Sequence, residues 1–126
     1  MRTVLDTSVL LDPLSEPIEG EVAISAVSLA ELHFGVLVAR TDQQRALRLR
    51  RLAAIERAFQ PLPVDDAVAR VYGQLAALVV ATGRKVRPRS LDLLIAATAQ
   101  VHDASLFTRN PDDLNGLEEL VDIVAV

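Results

Sequence analysis

Apolar positions along this chain follow two rhythms, short continuous runs and longer helical stripes, and the two alternate from one end to the other. The first run, residues 2–6, predicts a strand that ends on a carboxylate, Asp6. Residues 8–14 predict a short helix or turn stopped near Pro13. After an acidic linker around Glu16, Pro17 and Gly20, Glu21–Ser25 predicts a second strand. Ser28 and Glu31 have the spacing of a capping box, opening a helix to about Ala39. Thr41 and Asp42 offer the N-cap of a helix over 43–59, with Leu47, Leu52, Ile55 and Phe59 facing inward and its arginines facing water. Gln60–Val64 predicts a third strand, placed at a sheet edge by Pro61 and Pro63. Asp65 and Asp66 cap a helix to about Thr82 whose apolar stripe includes Val68, Tyr72, Leu75 and Val79, and Gly83 ends it. Ser90 caps an apolar helix from Leu91 to about His102. Ser105–Thr108 predicts a fourth strand, Asn110-Pro111 a helical turn, and Val121–Val126 the last strand. Strands alternating with helices imply an α/β fold, a three-layer α/β/α sandwich around a mostly parallel sheet of about five strands. Residues 1–126 read as a single domain, without repeats or low-complexity tracts.

The bulk properties narrow the class. Hydrophobic residues make up 51% of the chain and aromatic ones 3%, so the core is aliphatic. There is no cysteine, which excludes disulfides and thiolate metal sites and fits a reducing compartment. The first apolar run is broken by Asp6 and Asp12, unlike a signal peptide, and no uncharged stretch reaches the ~20 residues of a membrane span. The expectation is a cytoplasmic protein. Net charge is −4, which gives no overall attraction for nucleic acid. Its distribution changes the picture, because Arg84, Lys85, Arg87 and Arg89 concentrate four of the thirteen basic residues in one loop, including the only lysine.

Carboxylates follow the predicted strand ends at Asp6, Glu31, Asp92 and the Asp112-Asp113 pair. Each has a plain structural explanation. Glu31 completes a capping box, Asp92 complements a helix dipole, and Asp112 and Asp113 follow an Asn-Pro helix start. Asp6 is different, since burying it beside Val4, Leu5 and Val9 requires a cation or several donors. A parallel sheet gathers these positions along one edge, where ligands bind in open α/β sheets. Carboxylates gathered there must protonate, recruit arginines or bind a hard cation. Oxygen ligands without cysteine favour magnesium or manganese over zinc. One or two such ions can polarise a phosphodiester and activate a water, so the chemistry points to metal-dependent phosphodiester hydrolysis.

Four stretches carry a resemblance: Val4-Leu-Asp-Thr-Ser-Val-Leu-Leu11, Ser28-Leu-Ala-Glu-Leu-His-Phe-Gly35, Leu91-Asp-Leu-Leu-Ile-Ala-Ala-Thr-Ala99 and Phe107-Thr-Arg-Asn-Pro-Asp-Asp-Leu114. In order and spacing the chain resembles the PIN-domain ribonucleases, and more narrowly the VapC toxins of bacterial toxin–antitoxin pairs. The resemblance implies an α/β/α sandwich and an endoribonuclease that uses Mg²⁺ or Mn²⁺. It implies metal ligation by Asp6, Glu31 and Asp92, with Asp113 as the fourth acid and Asp112 as its adjacent alternative. Ser8, Thr108 and Asn110 stand where the family places polar supports of the acidic ligands. The partners it implies are an RNA substrate, a VapB-like antitoxin occupying the cleft, and a second copy in a homodimer, with no membrane.

Other residues carry weaker signals. The loop with Arg84, Lys85, Arg87 and Arg89 leads into the Asp92 helix, so it either grips RNA phosphates or serves as a solvated surface. Arg109, inside the fourth motif, either touches substrate or neutralises the acids. His33 and His102 read as structural, and Asp12 as a turn residue. Two competing readings are a catalytically silent RNA- or protein-binding module of this fold and a receiver-type phosphoacceptor domain. The receiver would need a lysine near the last strand, whereas Lys85 lies far from it.

Overall fold

A computed structural model describes residues 1–126. Strand β1 (Arg2–Leu5) leads into helix α1 (Thr7–Leu11), and β2 (Glu21–Ile24) runs directly into α2 (Ala26–Leu37). Two long helices, α3 (Asp42–Ala58) and α4 (Asp66–Ala81), come before a 3-10 turn at Arg87–Arg89 and helix α5 (Ser90–Val101). The chain closes with β3 (Ser105–Thr108), a 3-10 turn at Pro111–Leu114, and β4 (Ile123–Ala125).

The four strands pair in the order β2-β1-β3-β4, all parallel. Alternation along β1 sends successive side chains to opposite faces, and both faces are covered. Val4 joins a core with Val68, Leu75, Leu93 and Leu106 beneath α4 and α5. Leu5 joins a second core with Ile24, Leu32, Leu52 and Ile55 beneath α2 and α3. These two cores make the three-layer sandwich expected from the pattern.

The sheet has four strands rather than five. Gln60–Val64 contributes only one bridge, between Leu62 and Ser25. The Leu62 N–H donates to the Ile24 carbonyl and its own carbonyl accepts from the Ala26 N–H. The N–H positions of Pro61 and Pro63 face away from β2, so these prolines keep the segment at the sheet edge.

Two caps also differ from the expectation. Ser25, not Ser28, caps α2, its hydroxyl accepting from the Val27 N–H. No side chain caps α5, because Ser90 already lies in the helix and donates back to the carbonyls of Val86 and Arg87. The caps at Thr41 and Asp65 are as expected, accepting from the N–H groups of Gln44 and Val68. Gly83 follows α4 at φ +79°, a conformation that favours glycine.

Connectivity fixes where a site can form. β1 connects onward to β2 on one side, while its other neighbour, β3, arrives only after four helices. Leu5 pairs with both Ile24 and Phe107, so the C-terminal ends of three strands lie level. Asp6 stands at that switch point, the crevice in which open parallel sheets bind ligands.

Candidate active site

Asp6 is 8% exposed, and its carboxylate is held by three donors. Oδ1 accepts from the Thr7 N–H at 2.8 Å. Oδ2 accepts from the hydroxyls of Ser8 at 2.9 Å and Thr108 at 2.8 Å. Hydrogen bonds to a charged group contribute about 1.5–3 kcal/mol each, enough together to offset burial of the carboxylate. The residue doubles as the N-cap of α1, which sets its direction. Ser8 and Thr108 thus both donate to the Asp6 carboxylate.

Glu31 is held by a residue that the sequence reading passed over. Thr7 Oγ1 lies 2.8 Å from Glu31 Oε1 and 2.8 Å from Ser28 Oγ. A carboxylate only accepts, so the single hydroxyl hydrogen of Thr7 goes to Glu31 and Ser28 donates to Thr7. Since Ser25 is the cap of α2, the capping-box explanation of Glu31 falls away. The Asp-Thr-Ser run was the available signal, because Thr7 and Ser8 project to different sides of one helical turn and serve two different acids.

Asp92 lies in the first turn of α5, half-buried. Its pKa is pushed up to about 6, first by desolvation and then by the negative fields of Asp6, Asp113 and Glu31, with Arg89 opposing. All four acids therefore act on one locality. Asp112, the alternative fourth acid, is absent from the fields acting on Asp92, and its carbonyl accepts from Arg84 at 3.3 Å. Asp113 is exposed at the rim, on the turn opened by Pro111. Asn110 acts through its backbone, its N–H donating to Thr108 Oγ1 at 3.0 Å, with its side chain exposed.

The basic residues divide unlike the sequence reading. Arg109 neither reaches into the acids nor stands free. Its guanidinium donates to the Asp12 carbonyl at 2.6 and 3.2 Å and lies 3.6 Å from the Asp12 carboxylate. Arg84 is spent on the carbonyls of Asp112 and Asn115. Arg89 donates to the Lys85 carbonyl and is the cation whose field reaches Asp92. Lys85 and Arg87 are exposed. His33 meets Glu56 at 3.2 Å across α2 and α3, a structural pairing.

Helix α3 corrects two expectations together. Leu47 is 52% exposed, whereas Arg48 and Arg51 turn partly inward. Both border a cavity of about 440 Å³ that also holds Thr7 and Glu31. The signal was helical spacing. Arg48 precedes Leu52 by four residues and Arg51 precedes Ile55 by four, so both arginines extend the buried stripe while Leu47 lies off it.

The donor set suits a hard divalent cation. It is made of carboxylate oxygens, and the fields of its members reinforce one another until Asp92 holds its proton far longer than usual. No three acidic or imidazole groups stand close enough together to hold a metal ion as a set. Magnesium uses one or two carboxylates and keeps several waters, so an open set fits it better than a closed one.

The PIN domain family model matches residues 3–119 of the chain. Ribonuclease VapC5 of Mycobacterium tuberculosis is 40% identical over 115 residues, covering 86% of this chain and 83% of that protein. Toxin FitB of Neisseria gonorrhoeae is 30% identical over 125 residues, covering 85% and 86%. The crystal structure of VapBC-5, a toxin–antitoxin system of Mycobacterium tuberculosis, superposes with a TM-score of 0.85 at 38% identity, over 99% of this chain and 97% of that one.

Proposed function

The chain belongs to the PIN-domain family, and from that premise we propose that it is a divalent-metal-dependent endoribonuclease acting as the toxin of a VapBC-type pair. The observation that carries this reading is the shared field of Asp6, Glu31 and Asp113 on Asp92, at the switch point of the parallel sheet. Asp6, Glu31, Asp92 and Asp113 would hold Mg²⁺ or Mn²⁺. Such an ion supplies Lewis-acid polarisation of a phosphodiester and lowers the pKa of a water.

The protein's own contribution is preorganisation. Asp6 is fixed by Thr7, Ser8 and Thr108, and Glu31 by Thr7, so neither carboxylate must be ordered when substrate arrives. Arg89 moderates the field at Asp92, while Lys85 and Arg87, exposed on the same segment, meet phosphate.

The antitoxin partner follows from the relatives' pairing, and the cytoplasm is the compartment proposed; no helix is long and apolar enough to cross a membrane. An apolar groove of about 470 Å³ beside Arg51, with Leu10, Leu14, Ile18 and Phe59 on its walls, offers the chemistry a hydrophobic antitoxin segment needs. Phe34 and Leu37, 65% and 77% exposed on α2, offer the same to a second copy of a homodimer. Residues 1–126 act as one domain in this proposal.

The test is RNA cleavage by Asp6→Asn in magnesium. Activity should fall by more than about 100-fold, beyond the 10–100-fold typical of outer partners. Full activity in that variant would discard the reading.

A further inference from the structure

A polyanion approaching four clustered carboxylates needs positive charge close at hand, and the chain as a whole is negative at −4. On the Asp92 side Arg89 supplies it. On the Glu31 side, the cavity of about 440 Å³ has Thr7 and Glu31 among its walls together with Arg48 and Arg51. Neither arginine forms an ion pair with any carboxylate, unlike Arg45 with Asp42 on the same helix. Neither is among the charges whose field acts on Asp92.

Arg48 is held by the backbone, and Arg51 stands between two cavities. Arg48 Nη1 donates to the Gly35 carbonyl at 2.7 Å, leaving its other donors for a ligand. Arg51 also borders the apolar groove lined by Ala54, Ile55 and Phe59. Two guanidiniums spaced i, i+3 on one helix, without carboxylate partners and beside a cavity, suit the oxygens of a phosphate.

We propose that Arg48 and Arg51 form a phosphate-binding subsite that seats the RNA backbone on the Glu31 side of the acidic cluster. This deepens the ribonuclease reading and rests on it. The strand then runs from Arg48 and Arg51 past Glu31 and Asp6 to Asp92 and Arg89, with backbone held on both flanks of the acids. The contacts are to phosphate and carry no base preference.

The test is binding of a short, labelled, single-stranded oligoribonucleotide of mixed sequence, with EDTA present to prevent cleavage, over a series of salt concentrations. Arg51→Ala should weaken binding about tenfold and reduce the slope of log K against log salt by about 0.7, the release expected for one phosphate contact. Arg51→Gln, which keeps much of the stem, should behave alike. Arg50→Ala, on the exposed side of α3, should match wild type. Wild-type binding and slope in both Arg51 variants would overturn the subsite and leave the guanidiniums to a carboxylate-bearing protein partner. An equal loss in Arg50→Ala would overturn it too, reducing the effect to net charge. Cleavage by wild type in magnesium is scored separately, so failure of the nuclease reading is distinguishable from failure of the subsite.

Discussion

Among single residues, Thr7 links the two halves of the site, since its N–H holds Asp6 and its hydroxyl holds Glu31. Thr7→Val keeps the shape and the N–H bond but removes the hydroxyl. Its expected effect is a loss of magnesium-dependent cleavage of about 10–100-fold, the range typical when a ligand loses its orienting partner, with a lowered thermal midpoint because the buried Ser28 hydroxyl loses its acceptor. Asp92 supports a prediction of opposite character. Its folded pKa of about 6 exceeds the ordinary carboxylate value, so its contribution to stability is fully present below the unfolded pKa and is lost as pH rises through about 6. Metal-free Asp92→Asn should therefore melt higher than wild type at neutral pH and alike below about pH 4, near the unfolded carboxylate pKa. Equal melting at both would remove the repulsive cluster. The sequence made Asp6 legible because a buried carboxylate at a strand end demands partners. Thr7 was hidden because threonine after a strand also reads as a turn residue, and its partner lies 24 positions away.

The elements were legible wherever local pattern and tertiary packing agree. Helix α4 reads from Asp65 to Gly83 because cap, stripe and stop coincide, and its Leu75 is fully buried against the α5 side of the sheet. Leu75→Ala should cost about 2–5 kcal/mol in denaturant unfolding, the usual range for a leucine truncated in a packed core. A value below about 1 kcal/mol would mean that the layer is looser than its burial implies. The start of α2 was misread because Ser25 and Ser28 both suit a cap, and the choice depends on where β2 stops, a matter of sheet register. Residues 60–64 looked like a strand for their apolar alternation, yet only Leu62 pairs, and the prolines on either side of it confine the segment to the sheet edge. Helix α3 was misread in rotation alone. Arginine was assigned to water by type, although the spacing to Leu52 and Ile55 put Arg48 and Arg51 on the inner stripe.

At the scale of the whole molecule, the parallel sheet converts four carboxylates distant along the chain into one locality, because every strand delivers its C-terminal end to the same edge. That convergence followed from alternation and topology. The division of the basic residues did not, since Arg84 and Arg109 are fixed by carbonyls contributed by distant segments. Calorimetric titration of the folded, metal-free chain with Mn²⁺ tests the central claim most directly. Wild type should take up the ion at neutral pH, with affinity falling as pH drops through about 6 and Asp92 takes a proton, and Asp6→Asn should bind at least about tenfold more weakly. No uptake by wild type, or uptake that neither pH nor the loss of Asp6 changes, would contradict the account.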